Sequence, residues 1–170
     1  MGLKIIGVIL VVAGCAGFGF KLASNHLKEE RSLRSLIRIL DYMECELQYR
    51  MTPLPDLCRQ AAVESEGLLK KAFTLLANRL DDRISTNVDD CMACVLPAVG
   101  SIPPLTASAL AQLGKSLGRF DIEGQLKGLE AVRQSCRQQL NGLEKDRDMR
   151  LRNYQTLGIC AGAAIAILLI

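Results

Sequence analysis

Every carboxylate in this chain, and all but one of its lysines and arginines, lie between Lys21 and Thr156. On either side the sequence is apolar: Ile5 to Phe20 is sixteen residues without a charge, and Leu157 to Ile170 is fourteen more. A chain patterned in this way has a water-soluble middle and a lipid-compatible segment at each end. Its net charge of +3 follows from the basic flanks of those segments, so it is no argument for nucleic acid. With aromatics at only 4%, there is also no basic stripe interleaved with aromatic rings.

Length decides what each apolar run can do. At about 1.5 Å per helical residue, the first covers roughly 24 Å of a hydrocarbon core about 30 Å thick. Leu3, Leu22 and Ala23 lengthen it, and Lys4 and Lys21 can carry their ammonium groups to the two interfaces. Residues 3–23 are therefore read as a transmembrane helix. The second run covers about 21 Å; it needs Tyr154 and Thr156, a thinned bilayer or a protein neighbour to complete a crossing. Residues 154–170 are read as a short membrane segment, a span or half-span, with a buried terminal core helix as the competing reading. Small residues at four-residue spacing, Ala13 with Gly17 and Gly158 with Gly162, would let such segments approach closely in lipid.

The flanks set the orientation. Lys21, Lys28, Arg31, Arg34 and Arg38 follow the first run, and Lys145, Arg147, Arg150 and Arg152 precede the second. By the positive-inside rule, residues 24–153 lie in the cytoplasm and both tips outside. A competing topology comes from Val12-Ala13-Gly14-Cys15, which looks like a bacterial lipobox. Lipidation at Cys15 would make the chain an extracytoplasmic lipoprotein or adaptor. Against it, the apolar run continues past Cys15 to Phe20 and basic residues follow at once. The other six of the seven cysteines also suit a reducing compartment.

The middle is long enough for one domain with its own core, and its period is helical throughout. Leu33, Leu36, Ile37, Leu40, Met43 and Leu47 recur at three- and four-residue steps, predicting a helix that ends near Arg50. Thr52 as N-cap and Pro53 at the first helical position predict a short second helix through Leu57 and Ala61. Leu68, Leu69, Ala72, Phe73, Leu76 and Leu80 mark a third, and Asn87 would cap a fourth from Val88 to Leu96. The stretch Pro97 to Thr106, with three prolines and Gly100, reads as a loop. Thr106 would cap a fifth helix, ended by Gly118 as a C′ glycine. Asp121 would cap a long sixth, with Glu123 in its first turn. Its stripe is Ile122, Leu126, Leu129, Val132, Cys136, Leu140 and Leu143, and a kink or break is expected at Asn141-Gly142. The expectation is an all-α antiparallel bundle of about six helices, with both chain ends leaving it at the same membrane-facing end.

Catalytic patterns are sparse. The single histidine, His26, lies in the basic flank of the first run, where it reads as an interfacial, solvated residue. HExxH and ExxH spacings are absent, which removes zincin and di-iron chemistry. There is no phosphate loop and no glycine-rich fingerprint after a strand. Cys91-Met92-Ala93-Cys94 is the one pattern with redox or metal potential. It lacks both a second pair and a βαβ context, so on a helix the two cysteines read as small apolar residues sharing one buried face. No cofactor and no metal follow from these residues, and the chain reads as a non-enzyme.

Three segments carry a resemblance. Leu40 to Ala61, "LDYMECELQYRMTPLPDLCRQA", resembles the stage III sporulation protein AB family, with its "TPLP" break after a similar helix. Leu113 to Leu126, "LGKSLGRFDIEGQL", is similar to the family's "GKSLG" turn followed by Asp and, four residues on, Gln. The ending Asn153 to Ile170 and the apolar start also fit. Phe120, where the family usually has Ser, and the Cys91/Cys94 pair depart from the pattern. The resemblance implies a membrane component of the channel joining mother cell and forespore in endospore-forming bacteria. It also implies a helical domain similar to those of the type II secretion inner-membrane platform. Such a protein would sit in the mother-cell membrane facing the forespore, with its bundle in the cytoplasm. Its partners would be the system's hexameric ATPase, other membrane components of the complex and the lipid bilayer; a homo-oligomer is compatible with the same role. Turns distal to the membrane would make the contacts: Thr52, Pro53, Leu54, Pro55 and Asp56, together with Lys115, Arg119, Asp121 and Gln125.

Overall fold

The computed structural model describes residues 27–82, 87–118 and 121–169, with side chains of the last helix described through Lys145. Among these residues there are six helices and no strand. Helix α1 occupies residues 27–50. It is followed by α2 (Leu54–Val63), α3 (Gly67–Asp81), α4 (Val88–Val99), α5 (Pro104–Ser116) and α6 (Ile122–Leu169). The expected first span, Cys15, Ala13, Gly17, His26 and Arg119 all lie outside the described residues. No helix among the described residues is long and apolar enough to cross a membrane.

The apolar periodicity does set the core. Leu33, Leu36, Leu40 and Met43 of α1 are buried against Leu57 of α2, Phe73 and Leu76 of α3, and Met92 of α4. Leu110 and Leu113 of α5 and Leu129, Val132 and Cys136 of α6 close the same cluster. Each such leucine contributes about 1.5–3 kcal/mol by leaving water. Ile37 is half-buried, while Ile39, off the expected stripe, is buried. The reason is that α1 is covered from several sides, as its polar contacts to α2, α5 and α6 show.

Those contacts also fix helix direction. On α1 and α2, the Tyr42 hydroxyl donates to Gln60 Oε1 at 2.8 Å, and Thr52 Oγ1, just before α2, donates to Glu46 Oε2 at 3.1 Å. The order reverses along the two helices, so they are antiparallel. Lys71 Nζ donates to the Val99 carbonyl across α3 and α4 at 3.3 Å. Helix α6 returns along α1: Arg133 Nη1 meets Asp41 Oδ1 at 2.7 Å and Glu44 Oε2 at 2.5 Å, and further down Arg34 Nη2 meets Glu144 Oε1 at 2.7 Å. The start of α1 and the trailing part of α6 therefore emerge at one end of the bundle, the proximal end. Residues 51–53, Asp82, Asn87, Leu117, Gly118 and Asp121 lie at the opposite, distal end.

Several local expectations are corrected. Helix α2 begins one residue later than expected: Pro53 is its N-cap and makes no side-chain cap bond, because the Thr52 hydroxyl goes to Glu46 instead. Asn87 occupies the N-cap of α4 without a side-chain cap bond. Helix α4 runs through Pro97 to Val99, so the loop shrinks to residues 100–103. The proline is tolerated because Ala93 and Pro97 are both exposed, which leaves the carbonyl deprived of its donor facing water. Thr106 caps nothing; it is buried inside α5, whose first residue is Pro104. The cap comes instead from α1. Glu29 Oε1 accepts from the Leu105 amide at 2.7 Å and the Thr106 amide at 3.3 Å. A carboxylate here satisfies donors that a helix start leaves unpaired and also suits the helix dipole.

Of the remaining expectations, those at the α5–α6 turn hold and those at Asn141-Gly142, Leu68 and Ile122 do not. Gly118, with φ +75°, follows the C-cap Leu117 of α5, and Asp121 Oδ1 accepts from the Gly124 amide at 3.0 Å at the start of α6. There is no break at Asn141-Gly142; α6 is continuous, and one glycine penalty of about 1 kcal/mol does not outweigh a helix of that length. Leu68 and Ile122, expected on apolar stripes, are exposed.

Candidate functional site

The residues expected to meet a partner come from two distant stretches, and the fold brings them together at the distal end. A Cβ placed on Gly118 would lie 2.7 Å from Val88 Cγ2 and 3.5 Å from Leu54 Cδ2. The start of α2, the start of α4 and the α5–α6 turn thus converge on one glycine. That position demands glycine twice over, for its positive φ and for the absence of a side chain.

Around this joint the expected residues divide by role. Leu54 is half-buried against the turn, and Thr52 is half-buried with its hydroxyl on Glu46. Both hold the surface rather than present it. Pro55 is half-buried and Pro53 is exposed. Asp56 is exposed and pairs with Arg59, which also reaches Asp81 and so ties α2 to α3. Lys115 is exposed, and Asp121 is exposed while capping α6. Gln125 is half-buried one turn into α6. Gly158 and Gly162 fall within the trailing part of α6.

Two residues that sequence reasoning passed over are, among the described residues, the most exposed apolar groups at this end. Tyr49 is 77% exposed and Met51 69% exposed. Met51 also has φ +49°, in the left-handed region that a side-chain-bearing residue enters only at a cost. Tyr49 could have been found, since it falls off the Leu40, Met43, Leu47 stripe. Met51 could not, because nothing in a methionine announces a left-handed turn. The same end carries Asp82, Asp89, Asp90, Asp121 and Glu123. Asp89 and Asp90 sit in the first turn of α4 and Glu123 in that of α6, where the dipole favours them. Asp82 is the C-cap of α3, where the dipole opposes it.

Elsewhere the chemistry is quiet. A cleft of about 220 Å³ between α1 and the α2–α3 connection is lined by Ser35, Arg38, Ile39, Tyr42, Glu64 and Glu66. Burial, together with the Glu46 and Glu64 carboxylates, raises the Tyr42 phenol above its usual pKa. Among the described residues no group of three or more His, Cys, Asp or Glu is placed to hold a metal ion. The cysteine pair does not share one buried face: Cys91 is buried, Cys94 exposed, because a three-residue step swings the second side chain to the edge of the stripe. Burial pushes the Cys58 thiol up to about 12 and that of Cys136 to about 11, which leaves both as packing groups rather than nucleophiles.

The family model described as stage III sporulation protein AB (spore_III_AB) matches residues 4–170. Stage III sporulation protein AB of Bacillus subtilis (strain 168) is 24% identical over 170 residues, which is 98% of this chain and 99% of that protein. A solved structure, "Stage III sporulation protein AB (SpoIIIAB)", is similar with a TM-score of 0.63 at 22% identity, over 72% of this chain and 98% of that one. The two share a fold.

Proposed function

This chain belongs to the stage III sporulation protein AB family, and from that membership we propose that it is a non-enzymatic membrane platform of the mother cell–forespore channel, needed for endospore formation. In this reading residues 3–23 and 154–170 anchor the chain in the mother-cell membrane facing the forespore. The bundle, residues 24–153, lies in the cytoplasm and meets the system's hexameric ATPase and other membrane components through its distal turns.

The observation that carries the reading is the antiparallel pairing of α1 with α6. Arg34 with Glu144, and Arg133 with Asp41 and Glu44, bring the two helices that lead to the apolar runs to one end. A chain anchored at both termini needs that geometry, and the described basic residues nearest the two apolar runs, Lys28 and Arg31 on α1 and Lys145 on α6, lie at the same end, where anionic headgroups would meet them. The distal end is then the part farthest from the bilayer, open to a cytoplasmic machine. The test is co-purification. Tagged full-length protein, solubilised in detergent from sporulating cells, is expected to retain the ATPase; loss of the ATPase from a folded, membrane-extracted chain would overturn the platform role.

A further inference from the structure

We propose that the apolar run at the amino end of this chain, residues 3–23, packs antiparallel and in one fixed register against the trailing part of α6, so that the two anchors of a single protomer form one helical hairpin. That the hairpin lies in a bilayer rests on the platform reading; the pairing itself rests on the α1–α6 ion pairs.

Those ion pairs set the register. From Glu44 back to Arg34 is ten residues, from Arg133 on to Glu144 is eleven, and both ends of the interval are bridged, at 2.5 Å and 2.7 Å. Between them, Asp41 is seven residues after Arg34 and Arg137 seven before Glu144, and these two approach at 3.8 Å. The helices therefore keep step to within one residue, about 1.5 Å, over roughly three turns.

Carried toward the apolar runs, the same step reaches both together. One charge-free stretch ends at Phe20, fourteen residues before Arg34; the other starts at Leu157, thirteen residues after Glu144. The ion pairs do not require that agreement. Two helices entering one hydrocarbon layer side by side do.

The faces agree as well as the levels. Gln155, Gly158 and Gly162 stand eleven, fourteen and eighteen residues beyond Glu144. At about 3.6 residues per turn these are close to three, four and five whole turns, on the line of Arg137 and Glu144. Ala23, Gly19 and Ala16 stand eleven, fifteen and eighteen residues before Arg34, the same turns counted back along α1. Five of these six positions are Gly or Ala, residues that let helix axes approach closely in lipid. Ala13 and Gly17 share the four-residue spacing but fall roughly 60° and 100° off the line, so they are not on the seam. Residues 16, 19 and 23 lie outside the described residues, and α6 is helix through Leu169. The hairpin requires α1 to run on unbroken through Ser24, Asn25 and His26.

A second copy of the chain is the competing occupant of this face of α6. The same chain is favoured because Ala23 is four residues from Leu27, where the described part of α1 begins, and α1 is already held against α6. Its apolar run therefore meets α6 at high effective concentration. It also supplies the protein neighbour that a run about 21 Å long needs in a core about 30 Å thick.

The experiment uses full-length chains in the membranes of the expressing cells, with Cys15 and Cys160 replaced by alanine so that no native thiol remains in either run. Paired cysteines are oxidised with copper phenanthroline and the disulfides located by peptide mass spectrometry. Gly19→Cys with Gly158→Cys, and Ala23→Cys with Gln155→Cys, are expected to close within one chain. Gly17→Cys with Gly158→Cys should close about tenfold more slowly, because a disulfide does not bridge Cα atoms more than about 7 Å apart. The Ala23–Gln155 pair keeps every glycine, so it decides the matter if a cysteine at Gly158 disturbs the seam. Each pair is also split between two differently tagged, co-expressed chains. No disulfide in either facing pair, equal rates for Gly17 and Gly19, or closure only between the tagged chains overturns the hairpin. Extraction is read on the same samples. A chain released by carbonate without detergent would fail the platform reading, and the disulfides would still decide the pairing.

Discussion

The two ends of the bundle differ in which helices their polar groups tie together and in what they leave exposed. At the proximal end they are turned inward: Glu29 holds the amides that start α5, Arg34 joins Glu30 to Glu144, and Lys71 reaches the last carbonyl of α4. At the distal end Thr52 holds Glu46, Arg59 ties Asp56 to Asp81, Asp121 caps α6 and Gly118 meets Leu54 and Val88, while Tyr49, Met51 and Asp82 are left in water. At the proximal end the start of α5 and the trailing part of α6 are both tied to α1, although Val63 and Leu27 are exposed there. The distal end leaves a methionine in left-handed backbone and an aspartate at a helix C-cap exposed.

The largest effect should come from the joint. Gly118→Ala is expected to destabilise the protein by about 2–4 kcal/mol, from a left-handed φ and a Cβ forced against Val88, read from the urea midpoint. A loss well under 1 kcal/mol would mean that the distal turns are not held together. Next comes the proximal cap. Glu29→Ala should cost about 1–2 kcal/mol, because it leaves the Leu105 and Thr106 amides without an acceptor. Glu29→Gln, which keeps a carbonyl oxygen, should cost less, and equal losses for the two variants would remove the capping account.

The distal surface should respond with the opposite sign. Met51→Gly is expected to raise stability by about 0.5–1 kcal/mol as the strain is released, and Asp82→Lys by about 0.3–1 kcal/mol. If either lowered the unfolding temperature, the contrast between the ends would blur, since those residues would then be serving the fold. The interior between the ends gives a pH test. Cys58 and Cys136 stay protonated in the folded state to about 12 and about 11, against an ordinary value of 9.0. Above about pH 9 the unfolded chain therefore binds fewer protons than the folded one. The stability from these two thiols is fully present below that pH and is lost as pH rises through the folded values. A thiol reagent at neutral pH should accordingly modify exposed Cys45 and Cys94 well before buried Cys58 and Cys136.

What the sequence made legible was whatever is written within one or two turns. Gly118 and Asp121 announced the α5–α6 turn because left-handed backbone and N-caps select those residues locally, and the end of α1 near Arg50 followed from the loss of its stripe. The start of α5 was hidden because its cap, Glu29, is supplied from α1, so Thr106 was the nearest local candidate and the wrong one. Pro97 misled in the same way, since whether a helix tolerates proline depends on whether its stranded carbonyl faces water, a tertiary fact. Leu54 and Gly118 were both singled out, but nothing local says that they touch. The exposed pair Tyr49 and Met51 stayed invisible because exposure is what remains after packing is known.

The most direct measurement is the sidedness of two native cysteines. Cys45 and Cys94 lie exposed on α1 and α4, and a membrane-impermeant maleimide followed by peptide mass spectrometry reads each of them without altering the chain. In protoplasts expressing the full-length protein, neither should be modified until the membrane is opened, and both should be modified then. Modification of either in intact protoplasts would place the bundle outside and contradict a cytoplasmic platform.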